Sequence, residues 1–216
     1  MHTRALHRAS AIALLTFALA HLANHLASLS SVSLHIAFME VLRHVYRQRV
    51  VESLLFLCVA FQVLSGLFMV IRGRKGRHGF IPWLQAASGV YLAFFLLVHV
   101  SAVLFGRAVL RLDTNFYFAA AGFHVAPYQY FFAPYYLLGV LALFTHVGCA
   151  LYWRMPAGSR GPRALAVALP VVFGGIVSLL IVLSLAGLLR PVAVPAEYKA
   201  TYANTDVQPG HRADVP

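Results

Sequence analysis

Two histidines in the sequence follow the same set of residues at the same spacing. The motif reads Ser10-x3-Leu14-x2-Phe17-x3-His21 early in the chain and Ser88-x3-Leu92-x2-Phe95-x3-His99 later. Steps of four, three and four residues follow one face of a helix. Imidazoles are common metal ligands, and two neutral imidazoles that face each other can bind the iron of one b-type haem from its two sides.

The two histidines belong to long apolar segments that are typical of membrane-spanning helices. The chain has 216 residues, of which 61% are hydrophobic and 11% charged, and its mean hydropathy is +0.77. Soluble domains are much less apolar. The sequence therefore predicts an all-α membrane protein, a bundle of five transmembrane helices over residues 1–190 with a polar tail at 191–216. The five segments, each close to the roughly 20 residues that span a bilayer, are residues 10–31, 51–71, 84–105, 132–153 and 165–189.

The charge distribution is that of a membrane protein. Net charge is +11, which in a soluble protein would suggest nucleic-acid binding, but these cations cluster at the ends of the apolar segments. We therefore expect the lipid bilayer as a partner and no nucleic acid. The basic cluster from Arg72 to Arg77 favours a cytoplasmic N-terminus and an external C-terminus. Arg4, Arg8 and the apolar run after them also fit a cleaved signal peptide, but the repeated motif favours a retained first helix.

The second and fourth apolar segments are also alike. If segments one and two are duplicated as three and four, equivalent residues face each other across an axis along the membrane normal. His21 and His99 would then meet near mid-span. The alternative is that each histidine hydrogen-bonds a neighbouring carbonyl or hydroxyl and holds helices together. The second match sets Gln62-Val63-x-Ser65-Gly66-Leu67-Phe68 against His146-Val147-x-Cys149-Ala150-Leu151-Tyr152.

Over roughly residues 10–155 the chain resembles the type-B cytochrome b subunit of succinate:quinone and quinol:fumarate oxidoreductases. That subunit is a five-helix membrane anchor with two haems b. The resemblance rests on His21-Leu22-Ala23-Asn24-His25, Phe38-Met39-Glu40-Val41-Leu42, Val51-Glu52, Gln85-x2-Ser88-Gly89-x5-Phe95-x3-His99 and His146.

The resemblance implies a set of haem ligands. In the family the first helix pairs with the third and the second with the fourth, which implies His21 and His99 for the haem far from the cytoplasm. His146 matches one ligand of the nearer haem, but Gln62 stands where its partner should be. A neutral amide is a poor ligand for haem iron. We therefore expect one haem b and an empty or altered second site.

The resemblance also implies a function. We expect a b-type cytochrome of the bacterial inner membrane that carries electrons or anchors a complex, without catalysis of its own. Its partners would be a quinone and flavoprotein and iron–sulfur subunits. The alternative is a non-redox membrane scaffold that keeps the fold. The sequence contains no phosphate-binding glycine loop and no paired interior carboxylates, which argues against a nucleotide site or a hydrolase.

Three further segments carry weaker expectations. Residues 34–47 place apolar side chains on one face of a helix and basic side chains on the other, which predicts a helix lying in the membrane interface. We expect its basic face to be solvated; the alternative is that its arginines hold haem propionates or lipid phosphates. Residues 116–136 are rich in aromatic rings, typical of an interfacial belt or, alternatively, of a quinone pocket with His124 and Asp113. The fifth segment has no charged or histidine residue before Arg190, which suggests a structural strut.

Overall fold

The computed structural model describes residues 2–203, and that part of the chain is helical without strands. Five helices, α1, α3, α4, α6 and α7, are long and apolar enough to cross a membrane, which confirms the five predicted segments and a multi-pass membrane protein. The helices are α1 His2–Ala27, α2 Val32–Tyr46, α3 Arg49–Arg72, α4 Phe80–Ala108, α5 Phe116–Ala120, α6 Gln129–Tyr152, α7 Arg160–Leu185 and α8 Ala196–Ala203.

The first helix differs most from its predicted bounds. It starts at His2 rather than at residue 10, and it ends at Ala27 rather than at residue 31. Arg4 and Arg8 end the apolar run, but arginine is a good helix former and both side chains are exposed, so the helix continues through them. One consequence is that His7 belongs to the same helix as His21.

Each spanning helix packs against the next one along the chain, and α7 returns to touch α1. The most extensive packing joins α6 and α7, where glycines allow close approach. A Cβ on Gly148 would lie 3.2 Å from the Val167 backbone, and one on Gly174 would lie 2.5 Å from the Phe144 side chain. The fifth spanning helix therefore supports the fourth along its length.

The apolar core lies where α1, α5, α6 and α7 meet. Phe116 is 0% exposed, so the connection between α4 and α6 turns back into the bundle. Val194 and Tyr198 are also buried. The first part of the predicted polar tail therefore packs on the bundle, and residues 204–216 lie outside the described part of the chain.

The aromatic run after α4 is divided between the inside and the outside of the protein. Tyr130 is 78% exposed, as expected for an interfacial belt, whereas Tyr135 is 4% exposed and Phe116 is fully buried. The belt interpretation is therefore wrong for Tyr135 and Phe116. Their rings gain more by filling the space between helices than by lying at the membrane surface.

The internal duplication stays a prediction. Phe17 stacks on His21 and Phe95 stacks on His99 with similar geometry. Residues four apart are neighbours on any helix, so this likeness is expected with or without a duplication.

Candidate functional site

The structure brings the imidazoles of His21 on α1 and His99 on α4 close together inside the bundle. Their ring centres are 6.0 Å apart and their planes are inclined by 67°. Each imidazole is backed by the phenylalanine one turn earlier, Phe17 at 5.8 Å and Phe95 at 5.3 Å. The Phe95 ring lies against Gly139 of α6, where any side chain would overlap it. These contacts fix the positions of both histidines.

Neither imidazole in this pair makes a hydrogen bond within residues 2–203. Both residues are half-buried. The alternative in which each ring bonds a carbonyl or hydroxyl is therefore not observed. Two imidazoles on one metal have ring centres about 6 Å apart, because metal–nitrogen bonds are about 2 Å long. The distance between the two ring centres is therefore compatible with two imidazoles that share one metal.

More ionisable side chains line the same region. His25 lies 4.7 Å from His21 between ring centres, and its buried Nδ1 has no hydrogen-bond partner among the described residues. His35 of α2 lies 5.0 Å from His25. On the other side, Tyr136 lies 6.4 Å from His99. Unpaired buried polar atoms are unusual in a folded protein, so this concentration points to a site for a polar or metal-containing group.

The α2 helix lies with its polar face toward the bundle. His35 is 2% and Arg43 7% exposed, whereas Leu34, Val41 and Val45 are exposed. The expectation of a solvated basic face is therefore wrong at His35 and Arg43. In a membrane the apolar face gains by contact with lipid, and the charged groups gain by pairing inside the protein.

Arg43 joins two carboxylates at this end of the bundle. Its guanidinium donates to Glu40 at 2.6 Å and to Asp113 at 2.7 Å. Burial alone would lower the pKa of Arg43, but the hydrogen bond and charge of Asp113, with help from Tyr46 and Glu40, raise it overall. Arg43 therefore stays charged and ties α2 to the loop after α4.

Two donors in this cluster have no partner. The Nε atoms of Arg43 and Arg47 are buried without a hydrogen bond to any described residue. Guanidinium groups bind carboxylates strongly. This arrangement suits the alternative in which these arginines hold the carboxylate groups of a cofactor, such as haem propionates.

The neutral state of His35 makes this end of the bundle sensitive to acid. Its Nδ1 donates to the Asn24 carbonyl at 2.9 Å. Burial lowers the pKa of His35 to about 4; the bond to Asn24 opposes this effect and the charge of Arg43 adds to it. Between pH 6.5 and 4 the unfolded chain binds a proton that the folded chain does not, so stability falls as pH falls through this window.

We expect acidification from pH 7 to pH 5 to reduce the free energy of unfolding by about 2 kcal/mol through His35. The measurement is thermal unfolding in detergent at both pH values, for the native chain and for His35→Gln. The variant has no titrating group at this position, so its pH dependence should be smaller by that amount. An equal pH dependence in both proteins would contradict the prediction.

His146 and Gln62 occupy a different part of the bundle. The His146 Nδ1 lies 3.1 Å from the Gln85 carbonyl and 3.2 Å from Ser88 Oγ. The Gln62 amide donates to the His7 carbonyl and to Ser10 Oγ, so it is turned toward α1. The sequence interpretation missed His7, whose Nδ1 lies 2.7 Å from Ser65 Oγ of α3.

The residues suggested for a quinone pocket are held by separate partners. His124 donates to the Leu185 carbonyl at 2.9 Å, and Asp113 accepts from Arg43 and from Asn115. Within residues 2–203 no group of three or more His, Cys, Asp or Glu side chains is arranged to hold a bare metal ion. A haem needs only two protein ligands, since its ring supplies the other four nitrogens.

The comparisons with known proteins identify no relative of the chain. No protein-family model, curated protein or solved structure matches the chain.

Proposed function

We propose that the protein is a membrane b-type cytochrome that binds one haem through His21 and His99 and carries electrons in a quinone-linked complex. The observation that carries this proposal is the pair of imidazoles with ring centres 6.0 Å apart and no hydrogen bonds to described residues. Two histidines in that state are expensive in a membrane unless they bind something.

The chain would hold, orient and insulate the cofactor. When bound, the haem supplies one-electron redox chemistry. Phe17 and Phe95 stack on the two ligands, and the guanidinium groups of Arg43 and Arg47 would hold the propionates. The surrounding helices would enclose the cofactor, and the neutral imidazole is the form of histidine that binds iron.

The likeness to the succinate:quinone oxidoreductase anchor suggests the wider setting. By this proposal the protein lies in a bacterial inner membrane with a cytoplasmic N-terminus and an external C-terminus, and a quinone exchanges electrons with the haem. Flavoprotein and iron–sulfur subunits would dock on the cytoplasmic side. The exposed leucines, valines and phenylalanines of the spanning helices support contact with lipid.

The second candidate is a non-redox scaffold. The ring contacts that run from His21 through His25 to His35 favour it, because they could serve packing alone. The two candidates differ in one observable property, the presence of haem.

The test is a reduced-minus-oxidised spectrum with pyridine-haemochrome quantification on protein purified in detergent after expression with added haem precursor. At least about one low-spin haem b per chain is expected, because two histidines ligate the iron. Suppose instead that the purified protein elutes as a single species and shows a thermal unfolding transition, yet contains no haem. This result would overturn the proposal and favour the scaffold.

A further inference from the structure

A groove opens between α4, α6 and α7 at the end of the bundle where α6 ends and α7 begins. Its volume is about 670 Å³, which is within the range of sites for small molecules. Apolar side chains line it, among them Leu84 of α4, Leu141 of α6 and Val171 of α7. Ala164 and Ala168 also line the groove and are exposed. The groove therefore opens toward the outside of the bundle, where a membrane places lipid.

The groove has the depth of one leaflet of a membrane. Its lining residues on α7 run from Arg160, the first residue of that helix, to Val171. This stretch of helix is about 16 Å long. The hydrocarbon core of a bilayer is about 30 Å thick, so the groove extends from the interface to about the middle of the membrane. The acyl chain of a phospholipid has this length and this apolar character.

Two arginines lie at the interface end of the groove. The guanidinium of Arg163 lies 4.4 Å from the centre of the Tyr152 ring and donates to the Ala157 carbonyl at 3.3 Å. A guanidinium has several N–H donors, so others remain for a further acceptor. Arg160 is exposed beside it. Within residues 2–203 neither arginine forms an ion pair with a carboxylate.

The whole end of the bundle around these arginines is basic. Successive spanning helices run in opposite directions, so the ends of α3 and α6 lie on the same side as the starts of α4 and α7. The acidic residues in the described part of the chain all belong to the other side: Glu40, Glu52, Asp113 and Glu197. Further cations lie on the side of the groove: Arg72, Arg74, Lys75, Arg77 and Arg154. Basic pockets between spanning helices attract anionic lipid headgroups.

We propose that this groove binds an anionic phospholipid. Its phosphate would accept hydrogen bonds from Arg160 and Arg163, which suit phosphate oxygens, and one acyl chain would lie along Val167 and Val171. A neutral quinone could use the apolar walls, but it would gain little from two cations. No histidine lines the groove, so this proposal goes beyond the haem site and does not depend on it.

The experiment counts bound lipid on the full chain in detergent by native mass spectrometry. Phosphatidylglycerol and phosphatidylcholine with the same acyl chains are the two probes. The native chain should bind phosphatidylglycerol at least about tenfold more tightly, and the double variant Arg160→Gln/Arg163→Gln should lose this preference. Arg74→Gln/Lys75→Gln is the matched control, because it removes two charges from exposed positions at the same end of the bundle. It should keep the preference.

A second variant tests the place of the acyl chain without changing the charge. Ala168→Leu puts a larger apolar side chain into the groove, and leucine is a good helix former. It should weaken the binding of phosphatidylglycerol by at least about tenfold, because the groove is then too narrow for the chain. Ala150→Leu is the control, since Ala150 is exposed on α6 outside the groove, and its affinity should equal that of the native chain.

Three results would overturn the proposal. The first is equal affinity of the native chain for the two lipids, and the second is a preference for phosphatidylglycerol that survives in Arg160→Gln/Arg163→Gln. The third is a quinone analogue that displaces phosphatidylglycerol and binds that variant as tightly as the native chain, which would assign the groove to quinone. If the double variant does not fold, Ala168→Leu decides: weaker binding supports the lipid site, and unchanged binding overturns it.

Discussion

Replacing His21 or His99 by alanine should reduce the occupancy of the haem between them by at least about tenfold. Even the loss of a group that only orients a metal ligand costs about 10–100-fold in affinity, and these variants remove a ligand itself. The reduced-minus-oxidised spectrum, quantified per chain, measures the change.

His25→Ala is the matched control for this experiment. His25 lies one turn after His21 on the same helix, and their ring centres are 4.7 Å apart. The variant therefore removes an imidazole of the same size from the same region without removing a proposed ligand. His25→Ala should therefore keep the haem. In His21→Ala, by contrast, exogenous imidazole should restore the low-spin spectrum. A His21→Ala protein with a full low-spin spectrum would refute the assignment of His21.

Replacing Arg43 by methionine should lower the free energy of unfolding by about 2 kcal/mol. Breaking a fully buried ion pair costs about 3–5 kcal/mol. Here the cost is smaller, because the side chains of Glu40 and Asp113 are 50% and 43% exposed and can be hydrated again. Methionine keeps most of the length and packing of the side chain. The thermal midpoint in detergent should fall by about 4–8 °C.

Two variants test the cause of that loss. Arg49→Met removes the same charge from an exposed position at the start of α3, and its midpoint should stay close to that of the native chain. Arg43→Lys keeps the charge, but a lysine cannot bond two carboxylates with a planar guanidinium group. Its thermal midpoint should therefore lie between those of the native chain and Arg43→Met. If Arg43→Met melts with the native chain, the ion pairs do not hold α2 against the loop after α4.

The sequence alone determined the five spanning helices. A segment of roughly 20 consecutive apolar residues can satisfy its backbone hydrogen bonds in a membrane only as a helix. The existence of the spanning segments and their helical structure therefore followed from composition. The ends of the helices were predicted less accurately, because residues with high helix propensity extend a helix past the last apolar residue. The misplaced start of α1 had a direct consequence: the predicted span began at residue 10, which left His7 outside it.

The sequence predicted that His21 and His99 meet, because equal spacing on two helices suggests equivalent positions in a duplicated pair; the structure places their ring centres 6.0 Å apart, and the duplication itself stays a prediction. The sequence also contained a signal for His7, its distance of 14 residues from His21, which places both on one face of a helix. That signal does not identify a partner. Only the packing of the helices shows that His7 contacts Ser65 of α3 and that Gln62 turns toward α1.

The orientation of α2 was likewise decided by the tertiary structure. An amphipathic sequence shows that two faces differ, but it does not tell which face meets protein and which meets lipid or water. Here Asp113, 70 residues away from Arg43 in the chain, supplies the charge that draws the basic face inward. Local sequence sets the helices and the residues on each face, and long-range pairing sets which faces meet, because its energy depends on partners that are distant in the chain.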